Sequence, residues 1–156
     1  MELFSFASRS VRNIELGIEH QMWAVGTLLN QSSMAARVTK AEKYLVPGAL
    51  GVLYCNPLHS FTTPFIVKSK ADPEKVVHDV WPEPWRLPFE IQTLGDLTKR
   101  LHKDEAAKRW PTLRKRLEAR KAGGVSAAFN ITGTTVFVPV EITAEDWASI
   151  CSDLAR

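Results

Sequence analysis

The 156-residue chain carries 45% apolar and 24% charged residues, enough to bury one core without metal or disulfide support. No apolar run reaches the length of a membrane span, the start "MELFSFASRS" lacks the basic and apolar stretches of a signal peptide, and Cys55 and Cys151 form no CxxC pair. These features exclude a membrane partner and a disulfide scaffold and lead us to expect one reduced, cytoplasmic domain, while the net charge of +3 is segregated: positions 97–122 hold ten Lys/Arg against three acids, a local +7, and the rest of the chain nets −4.

In chain order, "ELFSFA" (Glu2 to Ala7) alternates loosely and suits a strand. Ser10 can cap a helix in which Val11, Ile14 and Ile18 recur at helical spacing, with Gly17 as a weak point. "QMWAVG" reads as a short strand ending at Gly26, "TLLNQSS" as a loop, and "MAARVTKAEKYL" as a helix stopped by Pro47-Gly48. "ALGVLYC" (Ala49 to Cys55) is a buried strand that "NPLHSFT" turns back into a second, Pro64 to Lys70, so a hairpin is expected.

The stretch "ADPEKVVHDVWPEPWRLP" reads as a long irregular connection, and "FEIQTLG" (Phe89 to Gly95) as a strand. Asp96 is a candidate cap for a basic helical pair on either side of Pro111, ended by "KAGG". One or two strands are expected over Val125 to Ile131 and Thr134 to Ile142, then a helix from Thr143 with Glu145 and Asp146 in its first turn. Five to seven strands, mostly antiparallel, with no repeat or linker, define the expected single domain over 1–156.

Catalytic chemistry finds no foothold. There is no Gly-rich phosphate loop, GxSxG elbow or HExxH. The four histidines are scattered, and Pro57 between Cys55 and His59 argues against a shared helical face. No catalytic residue, metal or cofactor is therefore expected. The tryptophans are more informative. Trp110 and Trp147 fall on expected helices, where core packing is the default, but Trp81 and Trp85 lie in the proline-rich connection, and loops run over the surface. Pro82, Pro84 and Pro88 would stiffen that loop and hold two aromatic walls apart for a flat ligand.

Two stretches, "LFSFASRSVRNIELGIEHQMWAV" from Leu3 and "GALGVLYCNPLHSFTTPFIVKSKADPEKVVHDVWPEPWRLPFEIQTL" ending at Leu94, resemble YTH domains in pattern and order. The wider relatives of that family are the EVE and ASCH domains of the PUA-like superfamily. The resemblance implies an α+β fold, a PUA-like or YTH-like twisted, mostly antiparallel, barrel-like sheet flanked by helices. It also implies a reader of N6-methyladenine that cages the base between aromatic side chains.

Carried over position by position, Trp23, Trp81 and Trp85 would form the cage. Asn13 and Ser8 would border the base edge, and the Ala24 main-chain carbonyl would accept from the methylamino N–H. Arg9 stands where the family has Asn or Tyr, and Thr93-Leu94 replaces its Trp-Ile ending. Arg9 and, in the basic segment Leu97 to Lys121, Lys99, Arg100, Lys103, Arg114, Lys115 and Arg116 are the candidate phosphate contacts. The expected partner is a nucleic acid carrying a methylated base, RNA ahead of DNA, with an effector protein for any downstream action. Two alternatives remain open: an EVE-type reader of modified cytosine in DNA, and a protein-interaction module anchored by the loop tryptophans.

Overall fold

The computed structural model describes residues 1–26, 31–119 and 123–156. Strand β1 (Glu2–Ser8) leads into helix α1 (Val11–His20) and strand β2 (Met22–Gly26). Ser10 caps α1, its side chain accepting from the Asn13 backbone N–H, and Gln21 leaves the helix in the left-handed region. Helix α2 (Gln31–Tyr44) begins within the expected loop, whose residues 27–30 lie outside the described residues. β3 (Leu50–Cys55) and β4 (Ser60–Val67) form the expected antiparallel hairpin.

The connection that follows is more regular than its prolines suggest. It contains β5 (Val76–Val77), and β6 (Trp85–Thr93) starts at Trp85 rather than at Phe89. Leu87 adopts φ +56°, and the β2–β6 register shifts between Trp23 and Val25. That bulge is how a strand tolerates Pro88, which has no N–H to give the ladder.

β7 (Leu101–His102), α3 (Lys103–Arg109), α4 (Pro111–Ala119), α5 (Gly124–Ala128), β8 (Val140–Glu141) and α6 (Ala144–Leu154) complete the chain. Three expectations fail here. The basic helical pair is capped by His102 rather than Asp96, which instead accepts from the Thr98 backbone N–H and from Arg156. Val125 to Ile131 is not a strand, because Gly123 and Gly124 at positive φ open the short helix α5 instead. Of Thr134 to Ile142, only Val140–Glu141 pairs, the remainder being a 3-10 turn and irregular backbone. The Thr143 helix start is as expected: Thr143 and Asp146 form a reciprocal capping box.

The strands make one sheet in the order β2-β6-β4-β3-β1-β8, with β5 on β6 and β7 on β4. Among the described residues only β1–β3 is parallel, and the path is open, with β2 and β8 at its ends rather than closed on each other. Side chains alternate across the sheet, so β1, β3 and β4 each feed two cores, while β2 and β6 feed only the first. Phe4, Phe6, Leu53 and Cys55 pack with α1, α2 and the three tryptophans Trp23, Trp81 and Trp85. Leu3, Val52 and Tyr54 pack with Trp110, Phe129 and helices α3 to α6. No helix among the described residues is long and apolar enough to cross a membrane.

Candidate functional site

A cavity of about 520 Å³ opens where the end of β1, the start of α1, β2, α2, the residues before β6 and the 131–136 segment meet. Its volume is in the range of small-molecule and cofactor sites. Ser8, Arg9, Asn13, Ala24 and Trp85, all expected from the sequence, line it. Trp23 and Trp81 stand behind that wall rather than in it.

The tryptophan cluster is tight. Trp81 and Trp85 stack on each other with centroids 4.1 Å apart and planes 12° from parallel, and Trp23 meets both edge-on at 5.9 and 5.2 Å. The three rings are 1%, 3% and 6% exposed for Trp23, Trp81 and Trp85. Two walls separated by a base would stand about 7 Å apart, twice the usual carbon contact distance. The prolines therefore do not hold Trp81 and Trp85 apart: the rings fill each other's space, and the open volume lies beside Trp85. Burial this deep also leaves neither ring as a surface anchor for a protein partner.

Local structure explains why the rings meet here. Gly17 faces Trp23 so closely that a Cβ on it would stand 2.8 Å from the indole, so the glycine that weakens α1 is what lets Trp23 pack under it. Trp81 is tied to the same helix, its indole N–H donating to the Asn13 carbonyl at 3.0 Å. The Trp85 indole N–H is buried with no hydrogen-bond partner among the described residues. A buried orphan donor costs about 1–3 kcal/mol, so this ring is held by its packing against that penalty.

The polar groups divide into spoken-for and free. Ser8 is engaged in its own turn, its hydroxyl donating to the Ser10 carbonyl at 2.8 Å and accepting from the Ser10 N–H. Asn13 is only 8% exposed, yet its side-chain amide makes no hydrogen bond to any described residue. One amide offers both a donor and an acceptor, and this one borders the cavity. Ala24 lies where the β2–β6 register shifts, one residue of β2 facing two of β6, Leu87 and Pro88, so the extra residue of the bulge belongs to β6.

Sequence reasoning did not single out Arg37, Glu83 or the 131–136 stretch as cavity walls. Arg37 lies on α2 and burial lowers its guanidinium from the usual arginine range. The only sequence signal for it was a cation on a helix following the first tryptophan. The 131–136 segment was hidden by its strand-like composition.

The basic segment lies elsewhere. None of Lys99, Arg100, Lys103, Arg114, Lys115 or Arg116 lines the cavity. Lys99, Arg100, Arg114 and Lys115 are exposed, and Lys103 starts α3 with its N–H on the His59 carbonyl. Arg116 donates to the Ala128 carbonyl at 2.6 Å and so helps hold α5 on α4. Arg120 and Lys121 lie outside the described residues. Of the phosphate candidates, Arg9 alone borders the open volume.

An open, mostly antiparallel sheet with a tryptophan cluster and a polar-edged cavity at one end is the class that these features define. No family model and no curated protein matches the chain. Solved structures do. The chain is similar to the Mmi1 YTH domain in its complex with RNA, at TM-score 0.54 and 10% identity over 97% of this chain and 76% of that one. It is also similar to the YTH domain of the Zygosaccharomyces rouxii MRB1 protein, in complex with N6-methyladenosine RNA. That match has TM-score 0.50 and 14% identity over 69% of this chain and 65% of that chain, just under two thirds of its length. The chain has a YTH-like fold.

Proposed function

We propose that the cavity receives the base of a methylated nucleotide and that the protein reads N6-methyladenine in RNA. The observation that carries this reading is that a nearly buried Asn13 amide, free among the described residues, and the Trp85 ring line one cavity of about 520 Å³, with room for a base. The Asn13 amide contacts the base edge, the Ala24 carbonyl at the bulge accepts from the methylamino N–H, and Trp85, braced by Trp81 and Trp23, supplies the aromatic surface. Two solved structures of similar fold hold RNA, one of them N6-methyladenosine RNA, which supports an RNA strand as the partner.

The energetics fit a stacking reader. Stacking on an aromatic side chain contributes about 1–3 kcal/mol per base, and one buried methyl about 0.8 kcal/mol. The base enters unpaired, since the edge that Asn13 would contact is occupied in a duplex. Parallel titrations with a single-stranded N6-methyladenine RNA, the same strand unmethylated, and a methylcytosine DNA test the reading. The methylated RNA is expected to bind most tightly, and Asn13→Ala to weaken it about tenfold, the size of one lost hydrogen bond in a buried site. Equal binding of all three, or tightest binding of the cytosine strand, would refute it.

A further inference from the structure

The stretch "WPEPW" sets Glu83 between two prolines, and Glu83 is the one acid on the cavity wall among the described residues. Pro82 and Pro84 each fix their own φ, and Pro84 also disfavours helical backbone at Glu83. Trp85, two residues or at most about 7 Å of chain away, is held in β6 by pairing with Gly26 and Val77. The carboxylate is thus anchored beside the ring that lines the cavity. Glu83 is exposed and has no ion pair or hydrogen bond to a described residue, although Arg9 and Arg37 line the same cavity.

A free carboxylate at the mouth of a site for a polyanion is unfavourable unless the ligand brings it a donor. An ionised carboxylate only accepts hydrogen bonds. Within an RNA strand the backbone phosphates only accept as well, and the ribose 2′-hydroxyl is the one backbone donor; DNA has none. A base seated against Trp85, with its edge toward Asn13 and Ala24, leaves its sugar at the rim, where Glu83 stands. We propose that Glu83 accepts a hydrogen bond from the 2′-hydroxyl of the nucleotide whose base occupies the cavity, and so makes the site select ribose over deoxyribose. The inference rests on the reader assignment for where the base lies, but the hydroxyl contact does not depend on the methyl group. With deoxyribose in place the carboxylate faces a polyanion and no donor, so the residue that favours RNA also acts against DNA.

The test is fluorescence anisotropy on one short RNA with a single N6-methyladenine. Only the sugar of that nucleotide is changed, from ribose to 2′-deoxyribose and to 2′-fluororibose, which keeps a ribose-like pucker but donates nothing. The wild type is expected to bind both altered strands about tenfold more weakly, the low end for a hydrogen bond to a charged group. Glu83→Ala brings the three strands together, weakening the ribose strand and tightening the deoxyribose one. Glu83→Gln keeps an accepting oxygen without the charge and retains part of the ribose preference. Melting curves confirm that both variants are folded.

Equal binding of ribose and deoxyribose strands by the wild type, or a ribose preference that survives Glu83→Ala, would overturn the proposal. So would a 2′-fluoro strand that binds like ribose, or a Glu83→Ala effect that follows an amino group on a neighbouring base instead of the sugar. Failure of the reader assignment looks different: methylated and plain strands would bind alike, while the sugar ratio and its loss in Glu83→Ala would still be readable on either.

Discussion

The two faces of the sheet bury tryptophan in opposite ways. On the α3–α6 face, Trp110 is fully buried and its indole N–H donates to Asp153 at 3.0 Å, which in turn pairs with Arg109. On the cavity face, Trp85 is nearly as buried and its N–H has no partner among the described residues. Charges follow the division only in part: Lys108, Arg109 and Arg116 on α3 and α4 have side-chain partners, whereas Arg9 and Arg37 at the cavity have none among the described residues, and neither do the exposed Arg114 and Lys115. Buried polar groups are normally satisfied; the other buried side chain without a partner among the described residues is the Ser5 hydroxyl, on β1 between Leu3 and Ala7 of the α3–α6 core. A region that leaves an amide and two guanidinium groups without partners among the described residues around one volume is arranged for something that arrives later.

The contrast can be broken from either face. The largest effect is expected from Trp23→Ala, which empties the space under α1 and costs about 3–5 kcal/mol, read by thermal or denaturant unfolding. RNA binding is lost with it, because Trp85 leans on that ring. On the opposite face, Asp146 accepts from the Thr112 and Thr143 backbone N–H groups and both hydroxyls. Asp146→Ala is expected to cost about 2–3 kcal/mol without changing RNA affinity in the protein that remains folded.

The same carboxylate gives the fold an acid limit. Burial alone would raise the Asp146 carboxyl, but the hydrogen bonds from Thr112 and Thr143 bring it below the ordinary value. Asp96 is lowered to about 2, first by the Thr98 side chain and backbone and then by Arg156. Both folded-state values lie below the unfolded ones, so their stabilisation is complete above roughly pH 4 and is lost as pH falls toward 2. Melting temperature against pH is expected to drop through that window, and to drop less in Asp146→Asn.

A smaller and more pointed comparison is Trp110→Phe against Trp85→Phe. Both lose ring volume, but only the first strands a partner, Asp153. Trp110→Phe is expected to be the more destabilising by about 1–2 kcal/mol, and the opposite order would end the claim that the two faces differ in satisfaction. Gly17→Ala comes last. Its helix-propensity gain of about 1 kcal/mol opposes the crowding of Trp23, leaving a net destabilisation of about 1 kcal/mol together with weaker binding.

What the sequence disclosed, it disclosed through local chemistry. Ser10 and Thr143 mark helix starts by hydroxyls that accept from the helix N–H groups, and the β3–β4 hairpin follows from two apolar runs around Pro57. Asn13, Ala24 and Trp85 reached the cavity list through a family pattern in which order along the chain stands in for position. The stretch from 123 to 142 misled because Val, Phe and Thr favour any half-buried surface. Here Ala128, Phe129 and Ile131 find that surface as a short helix and turn against α4. The charge run at 97–121 does not border the cavity, since composition reports how many cations a segment holds and not which face they turn to. Arg37 was invisible because one cation on a helix carries no pattern at all. Its meaning comes from the cavity wall.

The most direct test of the account is the ratio of affinities for methylated and plain RNA in the wild type and in Trp85→Leu. The wild type is expected to prefer the methylated strand by about fourfold or more, the value of one buried methyl, and Trp85→Leu to bring the ratio near 1 while the plain strand still binds. A preference that survives Trp85→Leu, or no preference in the wild type, would contradict the assignment of this cavity as the base site.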